Sequence, residues 1–417
     1  MNPKPILPGP TVVSEKAYTF APPIDSRFWP WFFGKFLDRH LRDSGGIHTH
    51  SITGLEKIQG SLRAGHGILI APNHVRPSDP MSMGLIVRAL KQNINIMASA
   101  HLFFDSRFHA WLMPRLGAFS LYREGLDRES LKTAVHILAT AHRPLVVFPE
   151  GVVTRTNDRL IALQEGTAFI ARSAAKQRAA KHPGAQVVVH PLALRYTFKG
   201  DLQSELGRVL ARLEMRLGWQ AQREMPLRER VLKLGLALLA LKEVEYFGGV
   251  QPGLINDRMP RLLEQVLGPL EREWLKSPSD GNAVERVKVL RRTMLPRLVT
   301  TKLPELEKHH IWRCLYDLEI AQQIYHYPSD YIPENASAER LIETVARYEE
   351  ALGIGSPEVV GPLHLQMDFG DAIIVDTARP DRNQADPLLV QISRSLSELL
   401  GLQNTEIECH SSKGSDA

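Results

Sequence analysis

Gly67-Ile68-Leu69-Ile70-Ala71-Pro72-Asn73-His74-Val75-Arg76-Pro77-Ser78-Asp79-Pro80 is the stretch on which the fold turns. Its first five residues are apolar without alternation, as in a short strand covered on both faces. Polar residues and prolines then stop the run, and Met81 to Leu90 reads as a helix. The same rhythm continues with strands at Ile94–Ala98 and Phe119–Tyr122 and a helix at Leu131–Ala141. Pro144–Phe148 is a further strand, Ala162–Lys176 a helix and Val187–Val189 a strand. Strands alternating with helices specify an α/β domain with a mostly parallel sheet flanked by helices. Ligands of such sheets sit beyond the carboxyl ends of the strands, so the residues after each strand become the candidates.

Working outward, 417 residues allow two or three units, or one large domain with an insertion, at ~150 residues per domain. After about residue 205 the pattern turns to long amphipathic stretches: Leu202–Leu217, Arg228–Glu243, Met259–Leu275, Val284–Leu298, Ile311–Tyr325 and Ala338–Leu352. Leu363–Ile373 then alternates like a strand, and Pro387–Leu400 reads as a helix. This return suggests a helical block inserted into the α/β domain. The expected organisation is a Pro-rich arm and aromatic helix over 1–47, the α/β domain over 48–204 and a helical insertion over 205–355. The last strand and helix follow over 356–405, with a polar tail over 406–417.

Composition narrows the classes further. With 43% hydrophobic and 23% charged residues, wholesale disorder and fibrous folds are excluded. Two cysteines, Cys314 and Cys409, cannot build a disulfide framework or a zinc cluster, and their scarcity fits a reducing compartment. A formal charge of +5 favours anionic partners without choosing among phosphorylated substrates, lipid headgroups and nucleic acid. No aromatic-basic sheet surface or helix-turn-helix signature supports nucleic acid. No run approaches the ~20 apolar residues of a membrane span, and Leu234–Leu241 between Lys233 and Lys242 reads as a buried helix. The amino terminus lacks a secretory layout, so the expected location is cytoplasmic. Trp29, Trp31, Phe32 and Phe33 beside Arg27, Lys35 and Arg39 suit a membrane interface, or equally a cap on the domain core.

Four short blocks carry the chemistry. In the first, His74 and Asp79 are too far round a helix to meet, and can do so only if the segment between them is a turn, before which Pro77 enforces a non-helical path. An Asp-held imidazole is a general base of fixed tautomer, able to take a proton from a hydroxyl. Asp79 ahead of Pro80 equally fits a helix N-cap. The second block, Phe148-Pro149-Glu150-Gly151-Val152-Val153-Thr154-Arg155, puts a carboxylate, a glycine turn and an Arg fork at a strand end. The third, Gly117 to Arg123, delivers Arg123 to the same edge. The fourth is Val187-Val188-Val189-His190-Pro191, in which Pro191 marks a kink or a sheet edge.

Together and in this order, the blocks resemble those of the glycerolipid acyltransferase superfamily, which includes the lysophosphatidic acid and glycerol-3-phosphate acyltransferases. Asn73, His74 and Asp79 meet its Asn-His-x4-Asp block, and Gly117, Phe119 and Arg123 its Gly-strand-Arg block. Phe148, Pro149, Glu150, Gly151 and Arg155 match its third block, where Val152 replaces a Thr and Thr154 stands for a Ser. Pro191 meets the fourth, Gln164–Ala168 resembles the helix start after the third, and Met367–Ile373 looks like the strand that closes many members. The resemblance spans roughly residues 50–200.

The resemblance implies transfer of a fatty acyl group from a thioester, acyl-CoA or acyl-carrier protein, to a hydroxyl of a lysophospholipid such as 1-acylglycerol-3-phosphate. His74 would be the general base and Asp79 its orienting partner. Arg123 and Arg155 would clamp the acceptor phosphate, with Glu150 and Gly151 shaping that site. Attack would be direct, since no nucleophile elbow or nearby Cys offers a covalent route. Neither cofactor nor metal is implied, and the protein would work peripherally on the inner face of a membrane. The alternative is a catalytically idle relative that binds lipid or acyl carrier protein.

Overall fold

A strand buried on both faces needs helices on both sides of its sheet, and the computed structural model has that layering. It describes residues 18–402 apart from 105, 124, 183, 280, 301–302, 326–329, 355–356 and 379–383. Most of the Pro-rich arm, the tail over 406–417 and Cys409 lie outside the described residues.

In chain order the elements begin with α1 (Phe28–Gly34), α2 (Leu37–Gly45), β1 (Ile47–Thr53), α3 (Leu55–Arg63), β2 (Gly67–Pro72) and α4 (Asp79–Leu90). Next come β3 (Asn95–Ser99), α5 (His101–Phe104), α6 (Arg107–Arg115), β4 (Ala118–Leu121), α7 (Arg128–Thr140), β5 (Leu145–Val146), α8 (Glu165–Lys181) and β6 (Val187–Phe198). Six helices follow: α9 (Leu202–Arg216), α10 (Leu227–Phe247), α11 (Ile255–Trp274), α12 (Ala283–Thr300), α13 (Glu305–Tyr325) and α14 (Ala338–Ala351). The described chain closes with β7 (Leu363–Phe369), β8 (Ile373–Ile374) and α15 (Pro387–Leu400). It divides into two units, one holding 18–199 and the residues from 361 onward, the other 200–360.

The first unit is an α/β layer structure on a sheet ordered β1-β7-β6-β2-β5-β3-β4, with β8 also beside β6. From β6 to β4 all neighbours are parallel; β7 and β8 run antiparallel to β6, and β1 parallels β7. Alternate residues of β2 serve opposite layers. Leu69 and Ala71 pack with Ala134 and Leu138 of α7, Ala171 of α8 and Ile392 of α15. Ile68 and Ile70 pack with Leu41 of α2, Ile58 of α3 and Ile86 of α4. A buried Leu or Ile on such a strand contributes about 1.5–3 kcal/mol, so the strand has little freedom to slip.

Two local readings change, and one strand, β1, was not read at all. The fourth block is neither a sheet edge nor a strand end: β6 runs twelve residues through Pro191 in the middle of the sheet. The proline fits because its missing N–H faces the gap between two antiparallel neighbours. Val188 and Val189 pair with β8, Leu192 onward pairs with β7, and the connecting Gly370 N–H donates to the Pro191 carbonyl (2.8 Å). The β1 strand gave no apolar signal because it is an edge strand with mostly solvent-facing residues. Leu234–Leu241 lies within α10, yet only Leu234 of its leucines is fully buried, while Leu236 and Leu241 are exposed.

The second unit is helical. Leu262, Leu267 and Leu270 of α11, Leu290 and Met294 of α12, and Ile311, Leu315 and Leu318 of α13 share one core. Arg230 and Glu214 form a buried bidentate pair at 2.9 Å, and Arg258 pairs with Glu243. Among the described residues no helix is long and apolar enough to cross a membrane.

Candidate active site

The site assembles where β2 and β5, adjacent and parallel, both end. After β2 the chain makes a turn rather than entering a helix directly, and this turn folds Asp79 back onto His74. Nδ1 of His74 lies 2.9 Å from Oδ2 of Asp79, and the same oxygen accepts the Arg76 backbone N–H at 2.8 Å. Asp79 is wholly buried, and the His74 side chain keeps 13% of its surface open. The capping alternative for Asp79 does not apply, because the N-cap position of α4 is Ser78 and its side chain makes no cap bond. A carboxylate on Nδ1 fixes the tautomer that leaves the Nε2 lone pair available. Among the described residues none hydrogen-bonds Nε2. The ring is held from one side by Phe148, whose centroid is 4.2 Å away.

Asp79 has a further partner that no local pattern announced. Tyr196, fully buried on β6, donates its hydroxyl to Oδ1 of Asp79. Burial, then the Asp79 charge, push the Tyr196 pKa well up, so the phenol stays a donor. Two asparagines position the β6 backbone at this end of the sheet. Asn73 donates to the Leu194 carbonyl (3.1 Å) and accepts its N–H (2.7 Å); Asn157 does the same for Tyr196 at 2.8 and 2.7 Å. Past the end of β2, these amides supply the paired donor and acceptor that a neighbouring strand would have supplied. Asn73 was visible as part of the first block; Tyr196 and Asn157 carried no sequence signal.

The second block lies against the first. Glu150 is buried, and its carboxylate accepts the His74 N–H at 2.6 Å and the Ile161 N–H at 3.2 Å. Burial pushes its pKa up to about 8, against the pull of these two donors. Its two hydrogen bonds fix the backbone at His74 and Ile161. Gly151 has φ of 72°, in the left-handed region, and a Cβ there would sit 3.0 Å from Gln164 Cγ. Thr154 donates its backbone N–H (2.8 Å) and its hydroxyl (3.0 Å) to the His74 carbonyl. Arg155, also left-handed at φ 50°, donates its N–H to the Val75 carbonyl (3.1 Å). The Thr that stands in for Ser is thus a structural clasp between the two blocks.

Arg123 follows β4 and donates to the Gly151 carbonyl, so the third block does reach the second. The structure brings together His74, Asp79, Glu150 and the 154–155 backbone, and ties Arg123 to Gly151. This arrangement can accept a proton at Nε2 and stabilise the resulting imidazolium through Asp79. Arg123 lies after β4 and Arg155 in the segment after β5. Residues 51–195, about a third of the chain, match the family model described as Acyltransferase. Among curated proteins, none matches this sequence.

Proposed function

We propose, from the premise that residues 51–195 form an acyltransferase domain of the glycerolipid acyltransferase superfamily, that the protein acylates a lysophospholipid such as 1-acylglycerol-3-phosphate. The observation that carries the reading is the His74–Asp79 contact, with Nε2 as the nitrogen left for substrate. In the reaction, Nε2 takes the proton of the acceptor hydroxyl while its oxygen attacks the thioester carbonyl carbon. The tetrahedral intermediate collapses with cleavage of the carbon–sulfur bond, and the imidazolium returns the proton to the departing thiolate. Asp79 favours the transient imidazolium throughout. The donor is acyl-CoA or acyl-carrier protein. Release of free thiol from an acyl thioester, measured with purified protein and a panel of lysophospholipids and neutral acceptors, tests the proposal. Absence of acceptor-dependent thiol release with every donor would instead favour a binding role.

Phosphate recognition falls to Arg123 and Arg155. Replacing either by Ala is expected to weaken a phosphorylated acceptor by about 1.5–3 kcal/mol, the range for a lost charged hydrogen bond. Saturation curves with phosphorylated and neutral acceptors check this: only the phosphorylated series should shift its KM. Equal shifts in both series would rule out the clamp.

A lipid acceptor also requires a membrane surface, and the aromatic segment divides its labour. Trp29 packs edge-on against Trp111 of α6 at 4.7 Å, and Phe33 packs against Phe108 at 6.4 Å. Phe28, Trp31, Phe32 and Phe36 face outward, Trp31 being 60% exposed with the Lys35 ammonium 3.9 Å from its ring. Exposed rings with adjacent basic groups support peripheral attachment to an anionic membrane surface. Trp31→Ala with Phe32→Ala should therefore lower binding to anionic vesicles while the melting temperature falls by only a few degrees. A large thermal loss with unchanged vesicle sedimentation would assign these rings to the core.

A further inference from the structure

The helical unit contains a ligand set that the transfer chemistry does not use. Nε2 of His310 faces two other groups at once: Oε1 of Glu273 at 2.5 Å and Sγ of Cys314 at 3.6 Å. All three ligand atoms lie within 4.8 Å of one another. His310 and Cys314 are four residues apart on α13 and share a face, while Glu273 comes from the last turn of α11. With Zn–S of about 2.3 Å and Zn–N of about 2.0 Å, a tetrahedral site has an S···N edge of about 3.5 Å. The His310–Cys314 separation of 3.6 Å is close to it. The Glu273 oxygen sits closer to Nε2 than the corresponding edge of about 3.3 Å, and its exposed side chain can withdraw by that difference.

The neighbourhood supplies what such a set needs around it. Trp274 stacks on the His310 ring at 6.2 Å with planes 15° apart, fixing its orientation. The buried Trp274 indole N–H is directed at the Cys314 sulfur, outside the range of a regular hydrogen bond. A metal-bound thiolate is a stronger acceptor for this donor than the neutral thiol. Cys314 is buried, while Glu273 and His310 are exposed, so an ion would enter from the solvent side and keep a water as its fourth ligand.

We propose that Glu273, His310 and Cys314 form a binding site for a borderline-soft divalent ion of the zinc type. Sulfur, imidazole and carboxylate together select such an ion over the hard oxygen-seeking cations. Binding displaces the thiol proton to solvent and ties α11 to α13. The test uses the full-length chain, stripped with chelator and titrated with cobalt(II), whose thiolate charge-transfer band reports a Co–S bond. One cobalt per chain, a near-ultraviolet charge-transfer band and its loss on adding zinc are expected. Glu273→Gln and His310→Gln should each weaken cobalt binding at least tenfold, and Cys314→Ser should abolish the band. Since Glu273 and His310 are exposed, their variants decide the matter even if Cys314→Ser fails to fold. No charge-transfer band in the wild-type protein, or undiminished binding in both Gln variants, would overturn the assignment.

Discussion

His74→Ala is expected to lower acyl-transfer turnover by ~10²–10⁴, the usual contribution of a positioned general base, while the protein stays folded. The imidazole keeps some solvent exposure, so truncation leaves no sealed cavity, and the residue's backbone contacts do not depend on its side chain. Glu150 still accepts the N–H of residue 74, and Thr154 still donates to its carbonyl. Loss of rate should therefore come without comparable loss of stability. Turnover at saturating donor and acceptor, read beside a thermal melt, checks both halves. A folded His74→Ala protein that turns over at the wild-type rate would remove the basis of the mechanism.

Asp79→Asn should cost a similar factor in turnover, on the order of 10²–10⁴, together with about 1–3 kcal/mol of stability. The wild-type carboxylate accepts three donors: the His74 ring, the Arg76 N–H and the Tyr196 hydroxyl. An amide has one oxygen, so its NH2 must face a group that was donating. If the oxygen stays with His74 and Arg76, Tyr196 must turn its hydroxyl around, and the charge that favours imidazolium is gone. If the amide flips, the imidazole loses its acceptor and with it the productive tautomer. Tyr196→Phe separates these effects. It leaves the His74–Asp79 bond in place, so stability should fall by about 1–3 kcal/mol with only a several-fold loss of rate. Rates falling equally in both variants would mean that positioning of Asp79, rather than its charge, governs the chemistry.

Much of the α/β unit was legible because its strands are buried on both faces, and such strands must be uninterrupted apolar runs. Boundaries were less secure where the ladder itself decides them. Only Leu145 and Val146 of the run Pro144–Phe148 form strand β5, and α8 starts at Glu165, after a loop that returns Ile161 to Glu150. The β1 strand was illegible for the opposite reason, since an edge strand facing water has no apolar run to read. Pro191 misled because a proline in a strand usually marks an edge, and only the change of neighbour from β8 to β7 explains its place in the middle.

What the sequence by itself determined is the local chemistry: Asn73, His74 and Asp79 after one strand, Glu150 to Arg155 after another, and a non-helical path before Pro77 as the condition for His74 to meet Asp79. These are short-range facts, set by proline and glycine geometry and by the order of the blocks. Tertiary structure alone decided what surrounds that pair. Tyr196 reaches Asp79 from 117 positions away, Asn157 secures the Tyr196 backbone from 39 positions away, and Glu150 anchors the His74 backbone across 76. It also split the aromatic segment into rings that pack on α6 and rings that face outward. The physical reason is the same in each case. A hydrogen bond between distant residues leaves no periodicity in the chain, and it exists only because the parallel sheet brings the ends of β2, β5 and β6 side by side.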